Sequence, residues 1–261
     1  MDKKTALITG ATGGLGYELS KILAQEGYNL VLVARNQARL ETTKHNLSRI
    51  SNIAIETMAL DLTIPTAPKE LYERVQQQSL AIDLLVNNAG FGIYGRFDKT
   101  ELGEELEMIQ LNATALIQLT KFFVPDMLTR QNGKILNVAS QAAFQPIPFF
   151  SVYAATKALV LSFSEALANE LQGTGVSVSV LCPGAFRSGF QQRARMEHTI
   201  IFQSRLLLTA EEIAKIGYRG LKKNKRVIIP GWKEKMLVFS TRFAPRNLVT
   251  QIARYLVRER R

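Results

Sequence analysis

Seven short runs rich in Val, Ile and Leu recur along the chain, each separated from the next by enough residues for a helix. They are Thr5–Thr9, Asn29–Ala34, Ile53–Ala59, Ile82–Asn87, Lys134–Ala139, Val176–Leu181 and Arg226–Ile229. The runs are nearly continuous in apolar residues. A strand with one face in water alternates, whereas a strand covered on both faces does not. Between the runs, Gly14–Glu26 places Leu19, Ile22 and Leu23 on one helical face, with Gly27 suited to the C-cap. Further helices fit at about 38–49, 66–78, 101–129 and 151–172. Strands alternating with crossover helices imply an α/β chain with a parallel sheet covered on both faces.

Composition agrees with that picture. At 261 residues, 46% apolar and 21% charged, the chain can bury one large core and lacks the signature of disorder. No repeat, low-complexity segment or Pro/Gly/Ser-rich linker divides it, so a single domain is expected. The one cysteine, Cys182, excludes an internal disulfide and reads as a small buried hydrophobe. With only His45 and His198 beside it, no zinc site of the Cys/His kind is expected, and the metal expectation is none. No apolar run approaches the roughly 18 residues of a membrane span. Met1-Asp2-Lys3-Lys4 leads straight into a strand without the pattern of a signal peptide, so a reducing cytoplasm is the expected setting.

Charge is unevenly placed. Residues 1–186 hold 15 Lys+Arg against 17 Asp+Glu, while residues 187–261 hold 18 against 5, so the whole excess of +11 resides at the C-terminal end. An anionic partner for that end is implied: a phospholipid surface, an acidic carrier protein, an anionic substrate or nucleic acid. Nucleic acid is set aside because no recognition module accompanies the charge.

The first run ends in Thr9-Gly10-Ala11-Thr12-Gly13-Gly14-Leu15-Gly16. Glycines at a strand-to-helix turn let backbone approach a ligand, and a helix N-terminus favours negative charge. A pyrophosphate suits the turn; a tight turn without a ligand is the other reading. The spacing departs from the generic G-x-G-x-x-G. In a dinucleotide fold the end of the second strand meets the adenosine ribose. Here Val33-Ala34-Arg35-Asn36 offers no acid for a ribose hydroxyl, and Arg35 suits a 2′-phosphate, unless it merely opens a helix in solvent.

Three Tyr/Lys pairs lie at i and i+4: Tyr17/Lys21, Tyr153/Lys157 and Tyr218/Lys222. Only the second follows a serine 13 residues upstream at a strand end, in Asn137-Val138-Ala139-Ser140. An ammonium beside a phenol favours the phenolate and fits the phenol for proton transfer in carbonyl chemistry.

Taken in order, Thr9-Gly10-x-x-x-Gly14-x-Gly16, Asp61-Leu62, Asn87-Asn88-Ala89-Gly90, Asn112, Ser140, Tyr153-x-x-x-Lys157 and Pro183-Gly184 resemble the short-chain dehydrogenase/reductase family over residues 9–188. Asn87 to Gly92 and the extended basic C-terminus resemble its members that act on lipid-like, acyl and steroid carbonyls. The resemblance implies a Rossmann-type doubly wound parallel sheet, expected in the order 3-2-1-4-5-6-7. It implies an oxidoreductase interconverting a small apolar ketone and its secondary alcohol, with NADP(H) preferred and NAD(H) as the alternative. Tyr153 would be the acid/base, Lys157 would lower its pKa and bond the nicotinamide ribose, and Ser140 would polarise the substrate oxygen. Asn112 would anchor a water relay to Lys157.

Cofactor contacts would come from Gly10, Thr12, Gly13, Gly14, Leu15, Gly16 and Arg35, and from Asp61 at the adenine with Leu62 beside it. Asn88, Ala89, Gly90, Tyr153, Lys157, Pro183, Gly184, Phe186 and Ser188 would complete them. Taken singly, Asn112 also reads as a surface amide, Asp61 as a turn cap and Ser140 as a loop serine. The resemblance further implies a homodimer or homotetramer through the helices at 101–129 and 151–172. A cofactor-binding sensor or scaffold of the same fold is the alternative, although a binding module has no need of a proton relay.

Apolar residues crowd the segments flanking this site: Phe91, Ile93, Tyr94, Phe97; Phe144, Ile147, Phe149, Phe150; Phe186, Phe190; then Ile200-Ile201-Phe202 and Leu206-Leu207-Leu208. They suit a pocket for a hydrophobic ketone or simply a core. The expected division is a catalytic domain at 1–230, with a lid at about 187–212, and a basic amphipathic extension at 231–261. In that extension Leu248, Val249, Ile252 and Leu256 share a face away from Arg246, Arg254 and Arg258, with Pro245 suited to a helix start. Such a helix lies peripherally on an anionic membrane or an acidic partner, or packs on its own domain or a second subunit.

Overall fold

The computed structural model describes residues 3–203 and 207–258, so Leu206 and part of the expected lid, and the last three residues of the extension, lie outside the described residues. Seven strands form one parallel sheet: β1 (Thr5–Thr9), β2 (Asn29–Ala34), β3 (Ile55–Ala59), β4 (Leu84–Asn87), β5 (Gly133–Val138), β6 (Val176–Leu181) and β7 (Val227–Ile228). Their order is β3-β2-β1-β4-β5-β6-β7, as expected. The apolar runs overshoot β3, β4 and β7 by one or two residues, because residues such as Ile82 are buried while lying outside the ladder.

The helices are α1 (Gly14–Gln25), α2 (Gln37–Ser48), α3 (Ala67–Gln77), α4 (Leu102–Ile109), α5 (Ala115–Thr129), α6 (Ser151–Glu170), α7 (Phe190–Arg193), α8 (Ala210–Lys222), α9 (Trp232–Ser240) and α10 (Arg246–Val257). Successive strand residues point to opposite faces, so each strand feeds two cores. Ala6 and Ile8 of β1 join Leu19 and Leu23 of α1, Leu40 of α2 and Ile213 of α8. Leu7 between them joins Leu71 of α3 and Leu119 and Phe123 of α5.

The expected helix at 101–129 is interrupted by a π-helical turn at Gln110–Thr114. Asn112 lies in that wider turn, where it is 1% exposed. Its Oδ1 accepts from Phe91 N at 3.0 Å, and its Nδ2 donates to Phe91 O at 2.8 Å and Thr156 Oγ1 at 3.2 Å. The side-chain amide therefore ties the segment after β4 to α6. A buried polar chain does the same deeper down. Asn87 Nδ2 donates to Asn137 Oδ1 at 2.9 Å and Thr120 Oγ1 at 3.1 Å, and Asn137 Nδ2 donates to Ser164 Oγ at 2.9 Å. Strands β4 and β5 thus grip α5 and α6 through directional bonds as well as apolar contact.

Strand order reverses between β1 and β4, where the two chains leave the sheet in opposite directions and open a crevice. Thr9 and Asn88 bridge it. Thr9 Oγ1 donates to Val86 O at 3.3 Å and accepts from Asn88 N and Ala89 N, each at 3.0 Å. Asn88 Nδ2 donates to Thr9 O at 2.9 Å and Gly10 O at 3.2 Å. Thr9→Val keeps the shape but strips the acceptor from two amides. We expect a loss of about 2–3 kcal/mol in urea unfolding, recovered largely by Thr9→Ser; a loss within about 0.5 kcal/mol would deny the bridge this role.

Candidate active site

A cleft of about 420 Å³ runs along the carboxyl ends of the strands. The glycine turn lines one end and the Tyr153 helix face the other. The turn is shaped by close backbone approach. Gly10 has φ +67°, and a Cβ there would lie 2.9 Å from Asn88 Nδ2 and 3.0 Å from Ala89 Cα. A Cβ on Gly16 would collide with Gly10 O. Gly13 sits at the N-cap of α1 with no side chain capping the helix, so the first amides of α1 are left to a ligand. Gly13, Gly14 and Leu15 line the cleft there, with Gly10 and Thr12.

Beside this turn stand two arginines. Arg35, at the end of β2, is half-exposed and paired to Asp61 at 3.6 Å. Burial opposes the Asp61 charge, but the amide and hydroxyl of Thr63, at 3.0 and 2.8 Å, and then Arg35 hold its pKa below the usual carboxylate range. Asp61 therefore does cap its own turn. Leu62 is buried in the core beneath and does not line the cleft. Arg39 is the residue the sequence reading missed. Asn36 caps α2 by accepting from Arg39 N at 2.9 Å, and the Arg39 guanidinium donates to Thr12 O at 3.0 Å on the cleft wall. The capping preference of Asn was the available signal, because it fixes Arg39 in the first turn of α2.

Asn88, Ala89 and Gly90 line the middle of the cleft, and Asn112 lies behind them. A Cβ on Gly90 would come within 2.8 Å of Asn112 Oδ1 and 3.4 Å of Lys157 Nζ, so a glycine lets these two groups converge. At the far end stand Ser140, Tyr153, Lys157, Pro183 and Gly184, while Phe186 packs towards the core of Ala11 and Leu15 and Ser188 returns to the glycine turn, where a Cβ on Gly14 would lie 3.4 Å from its Cβ. Ser140 leaves β5 in extended conformation; its Oγ accepts from Ala142 N at 3.1 Å and lies 3.4 Å from Pro183 O. The Tyr153 ring stacks on Phe150 at 4.2 Å and leans on Phe190 at 5.4 Å.

Burial beside these rings dominates the electrostatics of the pair. Burial pushes Tyr153 up to about 12, against a hydrogen bond from Ser140 that lowers it. Lys157 falls to about 8, again through burial, with Cys182 acting the other way. Its Nζ donates to Val138 O at 2.9 Å and lies 5.7 Å from the Tyr153 ring centre. Desolvation is thus the largest influence on both groups, and the lysine ammonium bonds a backbone carbonyl. Cys182 is buried, and its thiol is pushed up to about 12 by that burial, which leaves it unreactive.

Three further groups reach the cleft that no motif had marked. Gln141 lines it with a buried Nε2 that has no hydrogen-bond partner in the structure. Arg193 of α7 stacks over the Phe91 ring at 4.2 Å. Leu237 of α9, with Leu256 and Val257 of α10, closes the apolar end together with Ile201 and Phe202. The extension is part of the cleft wall, and Tyr94 OH holds it by donating to Val257 O at 2.8 Å.

A model of the short chain dehydrogenase family matches residues 4–199. The ketoacyl reductase HetN of Nostoc sp. is 37% identical over 181 residues, 69% of this chain and 63% of that protein. The chain therefore matches less than two thirds of HetN's length. An uncharacterised oxidoreductase, DltE of Bacillus subtilis, is 32% identical over 230 residues, 87% of this chain and 88% of that one. Among solved structures, a short-chain dehydrogenase from Sphingobium yanoikuyae in complex with NADPH superposes with a TM-score of 0.82 at 31% identity, covering 92% of this chain and 94% of that one.

The buried lysine has a consequence for stability. Its pKa falls from 10.5 unfolded to about 8 folded, so the unfolded chain binds more protons between those values. Stability should rise with pH across that window and be flat with respect to this group below it. Lys157→Met should remove a rise of up to roughly 3 kcal/mol, read by denaturant unfolding at pH 7.5 and pH 10. An unaltered pH slope in the variant would mean that Lys157 stays fully charged in the fold.

Proposed function

The chain belongs to the short-chain dehydrogenase family, and on that premise we propose that it is a nicotinamide-dependent oxidoreductase interconverting an apolar ketone and its secondary alcohol. The observation that carries this reading is the placement of Tyr153. Its ring packs on Phe150 and Phe190, which also touch each other, next to Ser140 and ahead of Lys157, in the same cleft as the uncapped turn of α1. The residues present fit a dinucleotide. The amides of Gly13 to Leu15 would hold its pyrophosphate, and Arg35 and Arg39 would hold a 2′-phosphate, which favours NADP(H) over NAD(H). Asp61 would lie at the adenine, Ala89 and Gly90 along the middle, and Pro183, Gly184, Phe186 and Ser188 along the nicotinamide. When bound, that nicotinamide supplies or accepts the hydride.

The chain's own residues supply the rest. Ser140 positions the carbonyl oxygen, and Tyr153 gives it a proton; with the phenol pushed up to about 12 by burial, the group holds its proton at neutral pH and is ready to donate. Lys157, near 8, is poised to pass a proton on, with Asn112 fixing the backbone past which it moves. The aromatic and aliphatic wall excludes water and selects an apolar substrate of the acyl, lipid or steroid-like kind; the name of the Nostoc relative supports an acyl ketone. On this reading residues 1–230 form the catalytic domain, with a lid at about 187–212, and 231–261 the basic extension. Leu102, Leu106 and Ile109 stand exposed along one face of α4, and Leu159 on α6, which supports a homo-oligomer through these helices. The proposed setting is the cytoplasm.

Tyr153→Phe should cut turnover of medium- and long-chain ketones by about 10²–10⁴-fold while NADPH binding by fluorescence stays within about twofold. Lost binding, or retained turnover, would remove Tyr153 from the proton path. Separately, Arg35→Asp should shift preference from NADPH towards NADH by at least about tenfold; an unchanged ratio that moves only in Arg39→Asp would transfer phosphate reading to Arg39.

A further inference from the structure

Eight of the fifteen large apolar side chains exposed among the described residues fall between Trp232 and Tyr255. Trp232, Phe239 and Phe243 are 71%, 54% and 74% exposed, and Leu248, Ile252 and Tyr255 recur at i, i+4 and i+7 along the outer face of α10. The inner face is already satisfied by Val249, Ala253 and Val257, so the outer stripe is surplus to the fold. Lys233, Lys235, Arg242, Arg246, Arg254 and Arg258 stand exposed among these side chains. The one acid of residues 231–258, Glu234, is turned inward beside Gly184 and Gly231. Aromatic and aliphatic groups interleaved with unopposed cations match the boundary of an anionic bilayer, where rings sit at headgroup level and cations meet lipid phosphates. An acidic protein would meet the charge but leave this many apolar groups to chance complementarity.

The stripe also borders the cleft. Leu237, 39% exposed, lines it from α9, while Leu256 and Val257 line it next to exposed Tyr255. We propose that α9 and α10 seat the protein on anionic lipid bilayers and that its apolar substrate passes from the bilayer into the cleft between these helices and the turn that carries Ile201 and Phe202. The second half rests on the ketone-reductase reading; the first does not.

Trp232 is the only tryptophan of the chain, so its emission reports docking directly. The full chain would be mixed with vesicles of phosphatidylcholine alone and with about one third phosphatidylglycerol, then sedimented. Expected are a blue shift and at least tenfold tighter binding to the anionic vesicles, weakened at about 0.5 M NaCl. Phe243→Asp/Ile252→Asp and, independently, Lys233→Glu/Lys235→Glu should each lose about tenfold in binding with NADPH binding and turnover of a short water-soluble ketone unchanged. The same variants should slow turnover of a long-chain ketone carried in the anionic vesicles. Binding to neither vesicle, equal binding to both, or undiminished binding by both variants overturns the docking. Vesicle-borne turnover unaffected by the variants overturns the delivery route. Docking that persists in a protein that reduces no ketone upholds the surface and rejects the reductase reading alone.

Discussion

Thr9 and Asn88 occupy the gap between β1 and β4, and the geometry of the cleft follows from how they fill it. A parallel sheet brings every strand end to one side, and where the order reverses the flanking loops diverge. Divergence strands backbone amides that no ladder partner can reach. The Thr9 hydroxyl takes two of them, and the Asn88 amide returns two bonds to the glycine turn. With the turn pinned, Gly10 has no room for a Cβ and the start of α1 faces the cleft uncapped. The segment after β4 is pinned in turn, and Gly90 passes Asn112 and Lys157 at a distance only glycine permits. One set of hydrogen bonds thus sets the spacing between the uncapped end of α1 and the Tyr153/Lys157 pair.

The apolar end of the cleft acts on that pair through desolvation. Phe150 and Phe190, themselves in contact at 6.4 Å, cover adjoining parts of the Tyr153 ring, and burial in a single pocket raises a tyrosine and lowers a lysine at once. A pair in bulk water would sit at the separate values of a free phenol and a free ammonium. Here the two draw apart from those values in opposite directions, towards a neutral phenol and a lysine that titrates just above neutrality. On the proposed reading, the substrate pocket and the proton machinery would be the same apolar surface seen from two sides.

The sheet and its order were legible because strands buried on both faces carry unbroken apolar runs, and crossover lengths leave few alternatives. Tyr153 and Lys157 were legible because helical spacing and the upstream Ser140 singled out one pair of three. Other features lacked a local signal. Nothing in Gln110–Thr114 marks a π turn; it is set by the tertiary bonds of Asn112 to Phe91 and Thr156. For Arg39 the Asn36 cap three residues earlier was a signal for its place in the first turn of α2, but not for the reach of its guanidinium to Thr12 O. In the basic helix, Leu248, Val249, Ile252 and Leu256 read as one shared face, with what it meets left open. In the fold Val249, Ala253 and Val257 turn inward and Leu248 and Ile252 outward, because the apolar arc of α10 is wider than one contact face. Periodicity finds such an arc but not which edge of it meets protein.

That ambiguity has a structural counterpart in how labour is divided along the chain. The groups that would hold the dinucleotide and move the proton project from strand ends and from α6, which the Asn87–Asn137–Ser164 bonds lock to the sheet. The groups that close the apolar end come from α7, the Ile200–Gln203 turn, α9 and α10, which are attached by contacts such as Tyr94 to Val257 and Ile200 to Arg258. Geometry for chemistry tolerates little displacement, whereas apolar recognition tolerates much. Placing the first on buried, directionally bonded elements and the second on peripheral helices lets substrate selection vary without disturbing Tyr153.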